Sequence, residues 1–264
     1  MNTLRDRLWI WGHPAGSFNK GNYGIKGESK MTPVEGMEYL GAKNVFFVPM
    51  GRPIDRIEET ERMRSVDEVG WSIELAATHP ENVTEVCRLA KTYKNVKRGI
   101  FDDFFNDDNP WNNFHHYTPE LLWQFRRELN AAGVELWLVL YTKQLHLDVD
   151  IRPYLAPFDG VSLWFWNEED VENYDARLAR FFELTPGQRR MIGCYLYDFG
   201  GEKPALPEPI LDQLERDAAL IRKGKLEGII LHTNCVADLG HPGVEAARAW
   251  IEKHGDEPVP PIVR

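Results

Sequence analysis

Eight short apolar, β-branched or aromatic runs, each followed by a helical pattern, recur from one end of this chain to the other. They span residues 8–13, 44–50, 69–75, 96–104, 134–142, 160–167, 191–199 and 227–233. Eight βα units in about 250 residues is the arithmetic of a closed parallel barrel. The alternation therefore predicts an α/β chain, a single-domain (β/α)8 barrel of the TIM type over residues 1–257, with 258–264 as a tail. An open doubly wound sheet shares the alternation but usually carries a glycine-rich phosphate turn after its first strand. Here Pro14-Ala15-Gly16-Ser17-Phe18-Asn19 follows, with no GxGxxG and no P-loop lysine. The faintest run is 69–75, diluted by Gly70 and the acids around it. Without it seven units and an incomplete barrel would remain.

Helix boundaries are written in the intervening segments. Thr118-Pro119-Glu120 places a capping residue before a proline at the first helical position, and Leu121, Leu122, Phe125 and Leu129 then form one apolar stripe ended by Gly133. Thr32-Pro33-Val34-Glu35 opens in the same way, with Glu35 spaced to complete a capping box. Thr78-His79-Pro80-Glu81 repeats the formula. Ile210, Leu211, Leu214, Ala218 and Ile221 make a further stripe, stopped at Gly224.

The chain has 264 residues, ample for a large core, and its 31 Lys+Arg against 41 Asp+Glu give a net charge of −10. That balance argues against a broad nucleic-acid or anionic-membrane surface, and no apolar run approaches the roughly 20 residues of a membrane span. Cys87, Cys194 and Cys235 are far apart and form no zinc or disulfide pattern, so no metal or cofactor is expected. The N-terminus lacks the apolar stretch of a secretion signal, and the chain as given reads as cytoplasmic. A secreted or periplasmic protein stripped of its signal reads the same way. No motif speaks to oligomeric state.

Function concentrates at the C-terminal ends of the runs, where barrel sites are built. In order those ends carry Trp11 and His13, Met50-Gly51-Arg52, Glu74, Asp102 and Asp103, Tyr141 and Lys143, Trp166-Asn167-Glu168, Tyr197 and Asp198, and His232 and Asn234. Strand bodies such as Leu136-Trp137-Leu138-Val139-Leu140 carry no such groups. Asp102-Asp103 is the sharpest element, because two adjacent carboxyls after an apolar strand are costly to desolvate unless they have partners. Strand alternation predicts that only one of them points into the barrel mouth while the other tunes it. Asp198 and Glu168 are further acids after apolar runs, although Glu168 also suits the start of a helix. Tryptophans at strand ends suit the C–H faces of a sugar ring, with core packing as the competing role. The loop 106–117, with Trp111 and His115-His116, is a candidate lid.

The segments Phe101-Asp102-Asp103-Phe104-Phe105, Trp164-Phe165-Trp166-Asn167-Glu168 and Tyr195-Leu196-Tyr197-Asp198, taken in barrel order, resemble (β/α)8 glycoside-hydrolase-like proteins. The sequence departs from the chitinase-like pattern, since Phe105 stands where a glutamate follows the fourth-strand aspartate. Its Asn167-Glu168 pair lies on the sixth run, not on the fourth as in the largest barrel glycosidase clan. Catalytic roles are therefore not carried over from either group.

The residues themselves suggest glycoside hydrolysis by a carboxyl pair acting on a carbohydrate substrate, neutral or weakly polar given the charge. Asp103 is read as acid/base, Asp198 as nucleophile or base, Glu168 as reserve and Asp102 as modulator. Trp11, His13, Glu74, Tyr141, Lys143, Trp166, Asn167, Tyr197, His232 and Asn234 would line the substrate. Two other classes compete. One is a divalent-metal-assisted sugar or sugar-phosphate isomerase or epimerase, using Glu74, Asp103, Glu168, Asp198 and His232. The other is a carbohydrate-binding barrel without catalysis. No serine lies in a GxSxG elbow.

Overall fold

The computed structural model describes residues 2–106, 113–166 and 171–262. All eight runs form strands: β1 Leu8–Gly12, β2 Asn44–Phe47, β3 Val69–Ser72, β4 Val96–Phe101, β5 Glu135–Tyr141, β6 Gly160–Trp164, β7 Arg189–Tyr195 and β8 Gly228–His232. They close into a barrel in sequence order, as the (β/α)8 reading requires. The helices are α1 Pro33–Leu40, α2 Arg56–Arg62, α3 Glu81–Thr92, α4 Pro119–Ala131, α5 Arg152–Leu155, α6 Tyr174–Leu184, α7 Pro207–Arg222, α8 Asn234–Ala237 and α9 Pro242–His254. Among the described residues none is long and apolar enough to cross a membrane.

The faint third run is a real strand with a local irregularity. Val69 pairs with Val96 but Gly70 with Arg98, so one residue of β4 is passed over at the glycine. That slip explains the diluted pattern. Two of the expected caps form: Thr32 and Glu35 make the reciprocal capping box of α1, and the Thr118 hydroxyl accepts the Leu121 N–H at 3.2 Å. Thr78 does not cap α3. Its hydroxyl turns back to the Leu75 carbonyl at 3.2 Å, because Leu75 itself turns the chain at φ +57°.

Most strands stop short of their apolar runs at the C-terminal end, where the polar residues leave the ladder for the loops. Among the described residues, all six non-glycine positions at positive φ (Lys20, Tyr23, Met50, Leu75, Asp103 and Glu202) lie between the end of a strand and the next helix. Such backbone costs roughly 1–3 kcal/mol per residue and gathers where function requires it.

The chain divides into two compact units. The first comprises Met1–Pro53, Phe165–Asn173 and Met191–Arg264; the second comprises Ile54–Trp164 and Tyr174–Arg190. In the first, β1 runs parallel to β2 and β8, and β7 to β8. Residues after α9 return to the N-terminus, where the Val259 N–H donates to the Asn2 carbonyl at 3.0 Å. In the second, β3 pairs with β4, β4 with β5 and β5 with β6. The strand starts of this unit are locked by charge. Arg98, 1% exposed, meets Glu68 at 3.0 Å and lies over the Trp137 ring at 4.5 Å. Asp159 receives two hydrogen bonds from Arg126, at 2.9 and 2.7 Å, and one from the Leu136 N–H at 2.9 Å.

Candidate active site

In the second unit, acids from two strand ends and a tyrosine from a third converge. β4 ends at Phe101, and Asp102 follows with its Oδ1 accepting the Asp103 N–H at 2.9 Å. Asp103 adopts φ +51°, which breaks strand alternation. Both carboxyls consequently engage one group, the Tyr141 hydroxyl at the end of β5. That hydroxyl donates to Asp102 Oδ1 at 3.4 Å and also holds down the proton affinity of Asp103. The strict strand alternation assumed for the two side chains does not hold at this turn.

The neighbours set the proton affinities. Burial pushes the Asp102 carboxyl well above the usual range, and the charges of Asp103 and Glu74 push it further, against hydrogen bonds from the Asp103 N–H and Tyr141. Burial also raises Asp103, opposed by the Tyr141 hydroxyl and the Lys143 ammonium. Glu74, beyond β3, is raised by burial, restrained by the Ser72 hydroxyl at 3.3 Å and by Arg56, and raised again by Asp103. The surroundings thus favour retaining protons on closely placed carboxyls. Lys143 is exposed.

The first unit places its polar strand ends differently. Asn234 is fully buried; its Oδ1 accepts the His13 N–H at 2.8 Å and its amide donates to the carbonyls of His13 and Met31 at 3.0 and 2.7 Å. A Cβ at Gly36 of α1 would come within 2.5 Å of the Asn234 Cβ, so only glycine lets the helix approach this staple. Tyr197, 1% exposed, donates its hydroxyl to the Tyr23 carbonyl at 3.1 Å. Asp198 accepts the Gly201 N–H at 2.8 Å and meets Lys203 at 3.6 Å, a clamp on its own loop.

Two buried histidines complete this side. His13 donates from Nδ1 to the Val48 carbonyl at 2.9 Å, and burial lowers its pKa to about 4 despite that bond, with Arg52 adding to the effect. Burial also lowers His232, with His13 adding to the shift, to well below the ordinary histidine value. Phe18, Tyr195 and Phe199 pack around the His232 ring at 6.0, 4.8 and 4.7 Å. Trp11 is packed at 3% exposure, whereas Trp166 keeps a partly open ring beside Tyr195 at 5.5 Å.

Of the sequence-derived residues, Glu74, Asp102, Asp103, Tyr141 and Lys143 come together in the second unit. Trp11, His13, Trp166, Tyr197, Asp198, His232 and Asn234 belong to the first. Asn167, Glu168 and the lid residue Trp111 lie outside the described residues. Among the described residues no three His, Cys, Asp or Glu side chains group to hold a metal ion. Sequence reasoning did not single out Arg56 or Ser72. Arg56 was detectable as the one basic residue in the first turn of α2, where the helix dipole favours acids.

No protein-family model and no curated protein matches the chain. Among solved structures it is similar to a mutant α-subunit of tryptophan synthase from the hyperthermophile Pyrococcus furiosus, with TM-score 0.53 and 11% identity over 96% of this chain and 98% of that one. It is also similar to active domain 2 of a thermostable chitinase from Pyrococcus furiosus, with TM-score 0.56 and 12% identity over 86% and 83%. A glucosidase from Croceicoccus marinus gives TM-score 0.52 and 11% identity over 97% of this chain and 64% of that one. The likeness is one of fold.

Proposed function

We propose that the protein is a carbohydrate-active hydrolase that cleaves a glycosidic bond with the carboxyls of Asp102 and Asp103. The observation that carries this reading is the pair itself: two adjacent acids, both raised by burial, engaging one tyrosine hydroxyl. Glycosidic cleavage needs one carboxyl that stays protonated near neutrality, to assist the leaving oxygen, and one ionised carboxylate. Asp102, with the strongest upward push, is the acid. Asp103, beside Lys143, is the ionised partner, opposite to the positive charge that develops on the sugar ring. This moves the acid role from Asp103 to its neighbour and leaves Asp198 to hold its loop. The presence of a chitinase and a glucosidase among proteins of similar fold supports the substrate class by analogy alone.

The separation of the two carboxyls decides the stereochemistry: roughly 5–5.5 Å for a retaining pair and ~6.5–9.5 Å for an inverting one. The test is a panel of aryl glycosides and neutral oligosaccharides, with products followed by proton NMR. Turnover abolished by Asp102→Asn or Asp103→Asn in folded protein supports the reading, and the anomer released first distinguishes retention from inversion. Turnover untouched by both substitutions, or binding without cleavage across the panel, removes it.

A further inference from the structure

His13 keeps one buried polar atom without a hydrogen-bond partner among the described residues, its Nε2. Nδ1 lies 2.9 Å from the Val48 carbonyl, and a carbonyl only accepts, so the ring proton sits on Nδ1. Nε2 is therefore a lone-pair acceptor, on a residue that is 3% exposed. A buried acceptor left unpaired opposes folding, so one that is retained points to a donor from outside the chain. The surroundings limit what that donor is. Phe18 and His232 meet the His13 ring edge-on at 5.3 and 5.5 Å. Tyr195 and Phe199 continue the aromatic wall, 4.8 and 4.7 Å from the His232 ring. An apolar ring packs well against such walls. An anion brings only acceptors to a lone pair, and the positive charge of Arg52, which acts on His13, opposes a cation. A neutral O–H on an apolar body meets both conditions.

We propose that the first unit holds a binding site of its own at His13 Nε2, for a small neutral ligand with an apolar ring and one hydroxyl, such as a phenol. Every residue of this site belongs to that unit, and the proposal does not rest on the glycosidase reading. Its cover is the segment after β1, residues 14–30, which lays Phe18 on both histidines. That segment is built to lift. Positive φ recurs at Gly16, Lys20, Gly21, Tyr23, Gly24 and Gly27, and residues 20–24 and 26–28 are exposed. It is fastened by the Tyr197 hydroxyl, which donates to the Tyr23 carbonyl at 3.1 Å, and by Arg52, which donates to the carbonyls of Ala15 and Gly16 at 3.4 and 3.1 Å.

The test is nitrogen NMR of the full-length protein labelled in its histidine rings, titrated at pH 7.5 with phenol, toluene, benzoate and glucose. Phenol should move the His13 Nε2 signal toward the position of a hydrogen-bonded acceptor and leave Nδ1 in place. Toluene, which lacks the hydroxyl, should bind about three- to tenfold more weakly and leave Nε2 unmoved, the worth of one hydrogen bond. His13→Asn keeps a donor for the Val48 carbonyl and removes Nε2, so calorimetry should show phenol affinity falling by the same factor with toluene unchanged. The wild-type Nε2 signal decides the matter even if that variant fails to fold. Phenol and toluene acting alike, or benzoate or glucose moving Nε2 where phenol does not, would overturn the proposal. An Nε2 signal already at the hydrogen-bonded position and indifferent to phenol would assign the atom to a buried water and overturn it too.

Discussion

The rim residues of the two units look alike in the sequence and differ in how their polar atoms are used. In the first unit Asn234, Tyr197 and Asp198 spend their hydrogen bonds on backbone groups of their own surroundings, and His13 and His232 are kept neutral among aromatic rings. In the second, Glu74, Asp102 and Asp103 are part-buried, mutually repelling and pushed toward their protonated forms. A polar residue at a strand end is thus a candidate for chemistry only after its hydrogen bonds have been counted. The polar groups of Asn234, Tyr197 and Asp198 are satisfied within the first unit. Those of the second include acids held at a cost in stability.

The largest effect that would sharpen this contrast is on rate. Asp102→Asn should lower kcat by about 10²–10⁴-fold, the range for loss of a general acid. Asp198→Asn should leave kcat within about threefold while lowering Tm, because only the loop clamp is weakened. If both substitutions reduced kcat alike in folded protein, the division between the rims would fail. The next effect is on stability: Asn234→Ala strands buried backbone donors and acceptors and should cost about 2–4 kcal/mol in denaturant unfolding. A loss below about 0.5 kcal/mol would mean the staple is idle.

The fold was legible because eight apolar runs and their helix signals repeat a pattern that needs no tertiary information. Even the weak third run held, since Gly70 dilutes the pattern at the same point where the strand slips register. The site was legible only as a set of residue types. Alternation assigned Asp102 and Asp103 to opposite sides; the left-handed turn at Asp103 that brings both to Tyr141 leaves no mark in composition, since any residue so placed would read as strand end. Trp11 shows the converse. Its position beside a polar rim suggested sugar stacking, but its ring is packed in the core. Arg56 escaped notice because a helix start, not a strand end, delivers it to Glu74.

The two rims should also respond to pH in opposite senses. His13 has its folded pKa depressed from the ordinary 6.5 to about 4, so the unfolded chain binds more protons between those values. Stability from this group is complete above pH 6.5 and is lost as pH falls toward 4, by ~3 kcal/mol in all. His13→Asn should flatten that part of the Tm–pH curve; an unchanged slope would show the histidine is not buried neutral. The acids work the other way. Their folded pKa values lie above the unfolded ones, so their contribution favours the fold at low pH and is lost as pH rises through the folded values. Asp102→Asn should therefore raise Tm slightly at pH 8 and not at pH 4, the smallest of these effects. A lower Tm at pH 8 would deny that the carboxyl is strained there.

The most direct trial of the catalytic assignment is a crystal structure of Asp102→Asn with an oligosaccharide that the wild type cleaves. The scissile glycosidic oxygen should lie within hydrogen-bond distance of residue 102, with the Asp103 carboxylate facing the anomeric carbon. A sugar bound in a cleavable pose with neither residue 102 nor Asp103 near the scissile bond would contradict it.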